Sequence, residues 1–167
     1  MPDQHTPKST RQNTFPPESL KREINRLYVL SNLFDRIFKA KFEKKDGVTL
    51  VDWKVIEAVF LCKGVTASEI IDFWGLDKTS VSRSIARLEK RGFIHRKVST
   101  ADRRHNHLFL TPRGRRMFDR LQNFKEYLFQ EIEKYLSAGE LHQMGETAEK
   151  MIDHLRKMLA ESDAHGV

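Results

Sequence analysis

The chain has 167 residues, 30 Lys and Arg against 23 Asp and Glu, a net charge of +7 and one cysteine. That length suits one domain or two small ones and is enough to bury a core, and a lone cysteine excludes an intramolecular disulfide and fits a reducing compartment. The first twenty residues lack the apolar centre of a signal peptide, and no run of about eighteen apolar residues could span a bilayer, so a soluble, cytoplasmic protein with no membrane partner is expected.

Met1 to Pro17 is polar and proline-bearing, and reads as a flexible tail whose Lys8 and Arg11 are available to DNA or a partner. From Glu18 to Lys45 the residues Leu20, Ile24, Leu27, Leu30, Phe34, Ile37 and Phe38 recur at three- and four-residue steps. This spacing predicts a long amphipathic helix, ended by Asp46-Gly47. Thr49 with Asp52 resembles a capping box for a second helix with a buried face of Leu50, Trp53, Ile56, Val59 and Phe60, closed by Lys63-Gly64.

Thr66-Ala-Ser-Glu69 is a capping box for a short third helix with Ile70, Phe73 and Trp74 as core contacts. Gly75 takes the left-handed position that ends it. Asp77 caps a fourth helix with Val81, Ile85 and Leu88 inward, ended by Gly92. Phe93 to Val98 and His107 to Leu110 read as two antiparallel strands around a polar loop. Thr111-Pro112 opens a long fifth helix through Met117, Leu121, Phe124, Leu128, Ile132 and Tyr135. Ala138-Gly139 is expected to break it, and Leu141, Met144, Ala148, Met151, Leu155 and Met158 mark a sixth helix.

Helix, turn, basic helix and basic hairpin describe a winged helix-turn-helix. The expected fold class is mainly α with a small β-hairpin wing, flanked by N- and C-terminal dimerisation helices. The expected boundaries are a tail at 1–17, a dimerisation helix at 18–48, the DNA-binding unit at 49–111 and C-terminal dimerisation helices at 112–163. Charge supports this division. From Lys78 to Arg116 there are twelve Lys and Arg against Glu89 and Asp102, a net +10, so the rest of the chain carries −3. A positive field confined to one segment suits docking on phosphates better than general solubility does.

A helix reads the major groove with its N-terminal residues. Here those are Lys78, Thr79, Ser82 and Arg83. Arg83 can fork onto guanine, Thr79 and Ser82 can meet a base or a phosphate, and Arg87 is one turn further on and suits a phosphate. Ser80 is better explained as part of the cap. In the hairpin loop, Arg103 and Arg104 suit a narrow minor groove, with Asp102 either orienting a guanidinium or simply forming the turn. Arg113, Arg115 and Arg116 either bond phosphates or are solvated.

The ordered set Leu88-Glu-Lys-Arg-Gly-Phe-Ile94, Asp102-Arg-Arg104 and Leu110-Thr-Pro-Arg-Gly114, after the helix-turn-helix, resembles the MarR family of transcriptional regulators. The resemblance implies a homodimer that places recognition helices in successive major grooves of a pseudo-palindromic operator in double-stranded DNA. It maps the family's wing motif to Asp102 and Arg104, and the recognition positions to Thr79, Ser82 and Arg83. Ile71 stands where the family usually has a small residue, and Ser84 where an apolar one is common. Family members often answer to a small aromatic or anionic effector, which would be lined here by Phe34, Phe38 and Trp53, although that stripe also reads as plain core.

No nucleophile–base constellation, Gly-rich phosphate loop or metal motif points to an enzyme or a cofactor. Cys62 reads as a buried, inert thiol. His105, His107, His142 and His154 lack the companions that zinc needs. The function expected is a sequence-specific regulator, a repressor released by an effector. The alternatives are a winged-helix interaction module that meets an acidic protein or RNA, and a nonspecific architectural DNA binder.

Overall fold

The computed structural model describes residues 23–98 and 106–165. The expectations for the tail Met1 to Pro17, for Leu20 and for Asp102, Arg103, Arg104 and His105 lie outside those residues.

Helix α1 (Glu23–Phe38) runs into a π-helical turn, Lys39–Glu43, and then into the short α2 (Lys44–Asp46). In the π turn the Lys44 N–H donates to the Lys39 carbonyl, five residues back. Gly47 ends the column at φ +58°, in the left-handed region. The sequence pattern gave no sign of the π turn, because it reads as one uninterrupted amphipathic helix. The apolar stripe is also differently placed. Phe38 is buried and Phe34 half-buried, but Ile24, Leu27, Leu30 and Ile37 are exposed. The chain's own core ends at Phe38, so the stripe beyond it faces outward.

Helix α3 (Leu50–Leu61) starts on Thr49, whose hydroxyl accepts the Asp52 N–H at 3.2 Å while the Asp52 carboxylate accepts the Thr49 N–H at 2.9 Å. Ile56 and Val59 are buried as expected, and Leu50, Trp53 and Phe60 pack half-buried against them. Val55 and Ala58 are buried as well, together with Asp52 and Glu57. A helix with no polar face is surrounded, and α3 is the centre of the core. Lys125 Nζ meets the buried Glu57 carboxylate at 2.6 Å.

The predicted caps of α4 (Ala67–Trp74) and α5 (Lys78–Lys90) are formed. Phe73, however, is exposed at 60% rather than in the core. Ile70 and Trp74, four residues apart, define the inward side of α4, and Phe73 points about 100° round from Trp74. Strands β1 (Ile94–Val98) and β2 (Asn106–Leu110) pair antiparallel, Ile94 opposite Leu110 and Val98 opposite Asn106. The Leu108 N–H donates to Val65 O at 2.9 Å, which ties the hairpin to the segment between α3 and α4.

Helix α6 (Pro112–Glu133) is seated on the hairpin base. Thr111 caps it and donates its hydroxyl to Gly92 O at 2.6 Å. Gly114 lies so close to the backbone just before β1 that a Cβ there would stand 1.9 Å from the Phe93 carbonyl oxygen. Tyr135 lies beyond the end of α6 and is 85% exposed. The expected break at Ala138-Gly139 is misplaced, since both residues belong to α7 (Ala138–His165). The break falls at Lys134 to Ser137. Ser137 accepts the Glu140 N–H, and Glu140 accepts the Ser137 N–H at 2.7 Å, a reciprocal cap that starts α7 in spite of its glycine. Of the α7 stripe, Met144, Ala148, Leu155 and Met158 are exposed and only Leu141 and Met151 are half-buried.

The architecture is thus mainly helical, with one two-stranded antiparallel hairpin. Among the described residues no helix is long and apolar enough to cross a membrane.

Candidate nucleic-acid interface

The turn between α4 and α5 is set by Gly75 at φ +60°, where the Gly75 and Leu76 N–H groups both reach Ile71 O. Asp77 then takes the Ser80 N–H at 2.8 Å. Hydrogen bonds from Ser80, from its side chain first and then its backbone, hold the Asp77 carboxyl below the ordinary 3.8. Ser80 therefore serves the cap.

Val81, Ser84, Ile85 and Leu88 are buried. Thr79, Ser82, Arg83 and Ala86 follow the complementary helical spacing and are exposed, with Lys78 beside them at the first position. The structure thus brings Lys78, Thr79, Ser82 and Arg83 onto one solvent-facing surface. Among the described residues Arg83 and Lys78 have no ion-pair partner.

Arg87 is placed differently. Its Nε donates to Asp52 Oδ2 at 3.0 Å, and its Nη2 donates to Asp52 Oδ1 at 2.7 Å and to Thr49 Oγ1 at 3.1 Å. The Ser84 hydroxyl donates to the same Asp52 Oδ1 at 2.6 Å. Its place on the helix suits Arg87 to a phosphate, but a fully buried carboxylate on α3 takes its guanidinium and turns it from the exposed face. Ser84 finds its explanation here too, since a hydroxyl replaces an apolar side chain in order to satisfy Asp52. Arg91 reaches back to the same junction, with Nη1 on Gly47 O at 2.6 Å and Nη2 on Asp46 O at 2.5 Å. Two turns of α5 and the residue that follows it therefore grip residues 46–52.

The paired strands form the wing stalk, with Val98 opposite Asn106. Arg96 pairs with Glu89 at 3.0 Å, and His107 Nδ1 lies 2.5 Å from Gly64 O. Asp102, Arg103 and Arg104 lie outside the described residues. Arg113 sits over the Phe93 ring at 4.8 Å. Arg115 sits over the Phe60 ring at 4.3 Å and pairs with Asp119.

Of the residues read as effector-lining, Phe38 and Trp53 stack face to face, centroids 5.0 Å apart at 10°. Phe42 closes the other side of Phe38 at 5.2 Å. A ligand at this position would have to part the rings. The Trp53 Nε1 is buried without an acceptor among the described residues. Cys62 is exposed, not buried, because α3 ends at Leu61 and the chain turns outward there. Among the described residues no group of three His, Cys, Asp or Glu could hold a metal ion.

A capped helix, a glycine turn, a second helix with a polar exposed face and an antiparallel hairpin define a winged helix-turn-helix. Residues 46–105 match the sequence model of the MarR family. An uncharacterized HTH-type transcriptional regulator, YdgJ, of Bacillus subtilis (strain 168) is 22% identical over 138 residues, 83% of this chain and 84% of its own. The fold is similar to that of a MarR protein from Peptoclostridium difficile, with TM-score 0.77, 17% identity, and 89% and 97% of the two chains covered. It is also similar to S. aureus MepR in a complex with DNA, with TM-score 0.72, 20% identity, and 80% and 97% covered.

Proposed function

We propose that this chain is a homodimeric, sequence-specific DNA-binding regulator of transcription, acting in the cytoplasm as a repressor of nearby genes and released by a small effector. The observation that carries this reading is the exposed face of α5. Lys78, Thr79, Ser82 and Arg83 present charge and hydroxyls at the amino end of a helix whose opposite face is locked in the core. In this reading Arg83 reads a base, Lys78 meets phosphate, and Asp102, Arg103 and Arg104 form the wing tip. Arg87 orients α5 through Asp52.

Exposed apolar residues support the pairing of two copies. Ile24, Leu27, Leu30, Leu33 and Ile37 on α1, and Ile152, Leu155, Met158 and Leu159 on α7, form stripes that monomeric proteins rarely leave uncovered. Residues 18–48 and 112–163 are the proposed dimerisation segments and 49–111 the DNA-binding unit. A two-fold pair places two α5 helices on the half-sites of a palindrome.

The test is selection of bound sequences from a random duplex pool, run with the native protein, Arg83→Ala and Arg104→Ala. The expected result is a palindromic consensus that loses definition at one position per half-site with Arg83→Ala and weakens in its flanks with Arg104→Ala. Enrichment of no consensus would overturn the reading in favour of architectural binding or a protein or RNA partner.

A further inference from the structure

We infer that a cleft between the end of α2 and the first half of α6 binds a compact, free, multivalent anion. The cleft measures about 400 Å³, and Arg91, Arg113, Arg116 and Arg120 line it around Asp46 and Phe93. Arg113, Arg116 and Arg120 follow i, i+3, i+7 spacing, which puts them on one side of α6. The inference is independent of whether the protein reads DNA.

Three of the four guanidinium groups are individually oriented. The carbonyls of Asp46 and Gly47 hold Arg91, whose guanidinium also lies 4.8 Å from the Phe93 ring centre. Arg113 lies at the same distance from that ring. Arg120 forks onto Asp46 at 2.8 and 3.1 Å. Carbonyls and a ring orient a cation without neutralising it. Asp46 is thus the sole carboxylate in the lining against four cations, and Arg116 has no ion-pair partner among the described residues.

The helix adds to this excess. The first turn of α6 contains no acidic residue. Arginines there stand at the positive end of the helix dipole, where a carboxylate is the stabilising choice. A largely pre-oriented set of guanidinium groups with positive charge in excess is what a phosphate or carboxylate fork needs. The cleft is also remote from the exposed hydroxyls of α5. Arg91 follows the carboxyl end of that helix, roughly 18 Å along its axis from Thr79. A concave site of this size suits a small oligophosphate or polycarboxylate rather than a duplex. When bound, the anion competes with Asp46 for Arg120 at the junction that α5 also grips.

The test is calorimetric titration of the full chain with inorganic pyrophosphate at constant ionic strength. The expected result is saturable binding of one pyrophosphate per chain, weakened at least tenfold in Arg116→Ala and Arg113→Ala. Arg83→Ala, at the other end of α5, should stay within twofold of the native protein. Arg116 is the main variant because its side chain supports no described contact, and its folding is checked by thermal melting. No saturable heat, an unchanged Arg116→Ala, or an equal loss in Arg83→Ala would each overturn the proposal. So would pyrophosphate failing to bind while Arg116→Ala weakens duplex binding uniformly with a shallower salt slope, since the arginines would then be backbone contacts.

Discussion

The guanidinium of Arg87 on α5 grips the carboxylate of Asp52 on α3 through two hydrogen bonds, one to each oxygen. Asp52 is fully buried and also closes the capping box of its own helix. One carboxylate therefore starts the central helix and fixes the rotation of the helix proposed to read DNA. Arg87→Ala would leave that carboxylate buried with only the Ser84 hydroxyl and the Thr49 N–H. A loss of about 3 kcal/mol is expected in urea unfolding, by analogy with broken buried pairs. Arg87→Lys should recover little of it, because an ammonium cannot fork. A loss below about 0.5 kcal/mol would mean that the pair does not hold α5.

Gly114→Ala should destabilise the fold by about 2–3 kcal/mol or more. The added methyl would sit 1.9 Å from the Phe93 carbonyl oxygen, a backbone atom just before β1 that already accepts the Thr111 N–H. Gly139→Ala is the control, with nothing within 4 Å of its Cβ position. It lies in the first turn of α7 and should be neutral or stabilising. Chemical denaturation of the two variants side by side checks the contrast.

These two cases show what could be read from the linear chain. The caps at Thr49, Thr66, Asp77 and Thr111 are local, since a short polar side chain and an amide three residues on suffice, and each forms as read. The alternation of inward Val81, Ile85 and Leu88 with outward Thr79, Ser82 and Arg83 is equally local. Partnership across the fold is not. Arg87 and Asp52 are 35 residues apart, and a lone arginine on a basic helix looks the same in sequence whether it meets phosphate or a buried acid. Ser84 carried the one available hint, a hydroxyl at an inward position. Phe73 and the α1 stripe misled because apolar spacing says that a surface is to be covered, not by what. Ser137 and Glu140 carry the capping pattern three residues apart, and Gly139 between them masks it with a poor helix former.

Lys54 sets a pH dependence. Burial pushes its ammonium below the ordinary 10.5, while its Nζ lies 5.3 Å from the centre of the Trp74 ring. Between the lowered value and 10.5 the unfolded chain binds more protons than the folded one, so this group makes stability rise with pH across that window. Lys54→Met should therefore be more stable than the native protein at pH 7, with the difference shrinking as pH passes 10.5. Urea midpoints of both proteins at pH 7 and in the alkaline range test the sign. A Lys54→Met protein that is less stable at pH 7 would show that the ring contact outweighs the burial.

Asp77 acts in the opposite range. Its carboxyl is held below 3.8 by the Ser80 hydrogen bonds, so its contribution is present above 3.8 and lost as pH falls through the lowered value. Asp77→Asn should keep the cap with less of this acid sensitivity, and Asp77→Ala should lose the cap at all pH values. Helicity followed by circular dichroism during acid titration separates the two variants.

Leu27→Glu together with Leu30→Glu should convert the proposed pair of chains into monomers without unfolding them. Both side chains are substantially exposed in the single chain, at 46% and 44%, so the cost falls on association. Sedimentation of the native and double-variant proteins at matched concentration gives the answer. A native protein that sediments as a monomer would overturn the homodimer.

The π turn at Lys39–Glu43 works as a phase setting between α1 and the core that holds Phe42. It holds one residue more than an α-helical path would, and each α-helical residue is about 100° of rotation and 1.5 Å of rise. Deleting Ala40 would let the column close up as plain α-helix and swing everything before it by that angle, while Phe42 and the core beneath stayed in place. The seven exposed apolar side chains from Ile24 to Ile37 would then look in a new direction. In the proposed pair, the azimuth between the two reading heads hangs on that one residue. Its removal should alter the preferred distance between half-sites while every residue that meets the double helix stays the same.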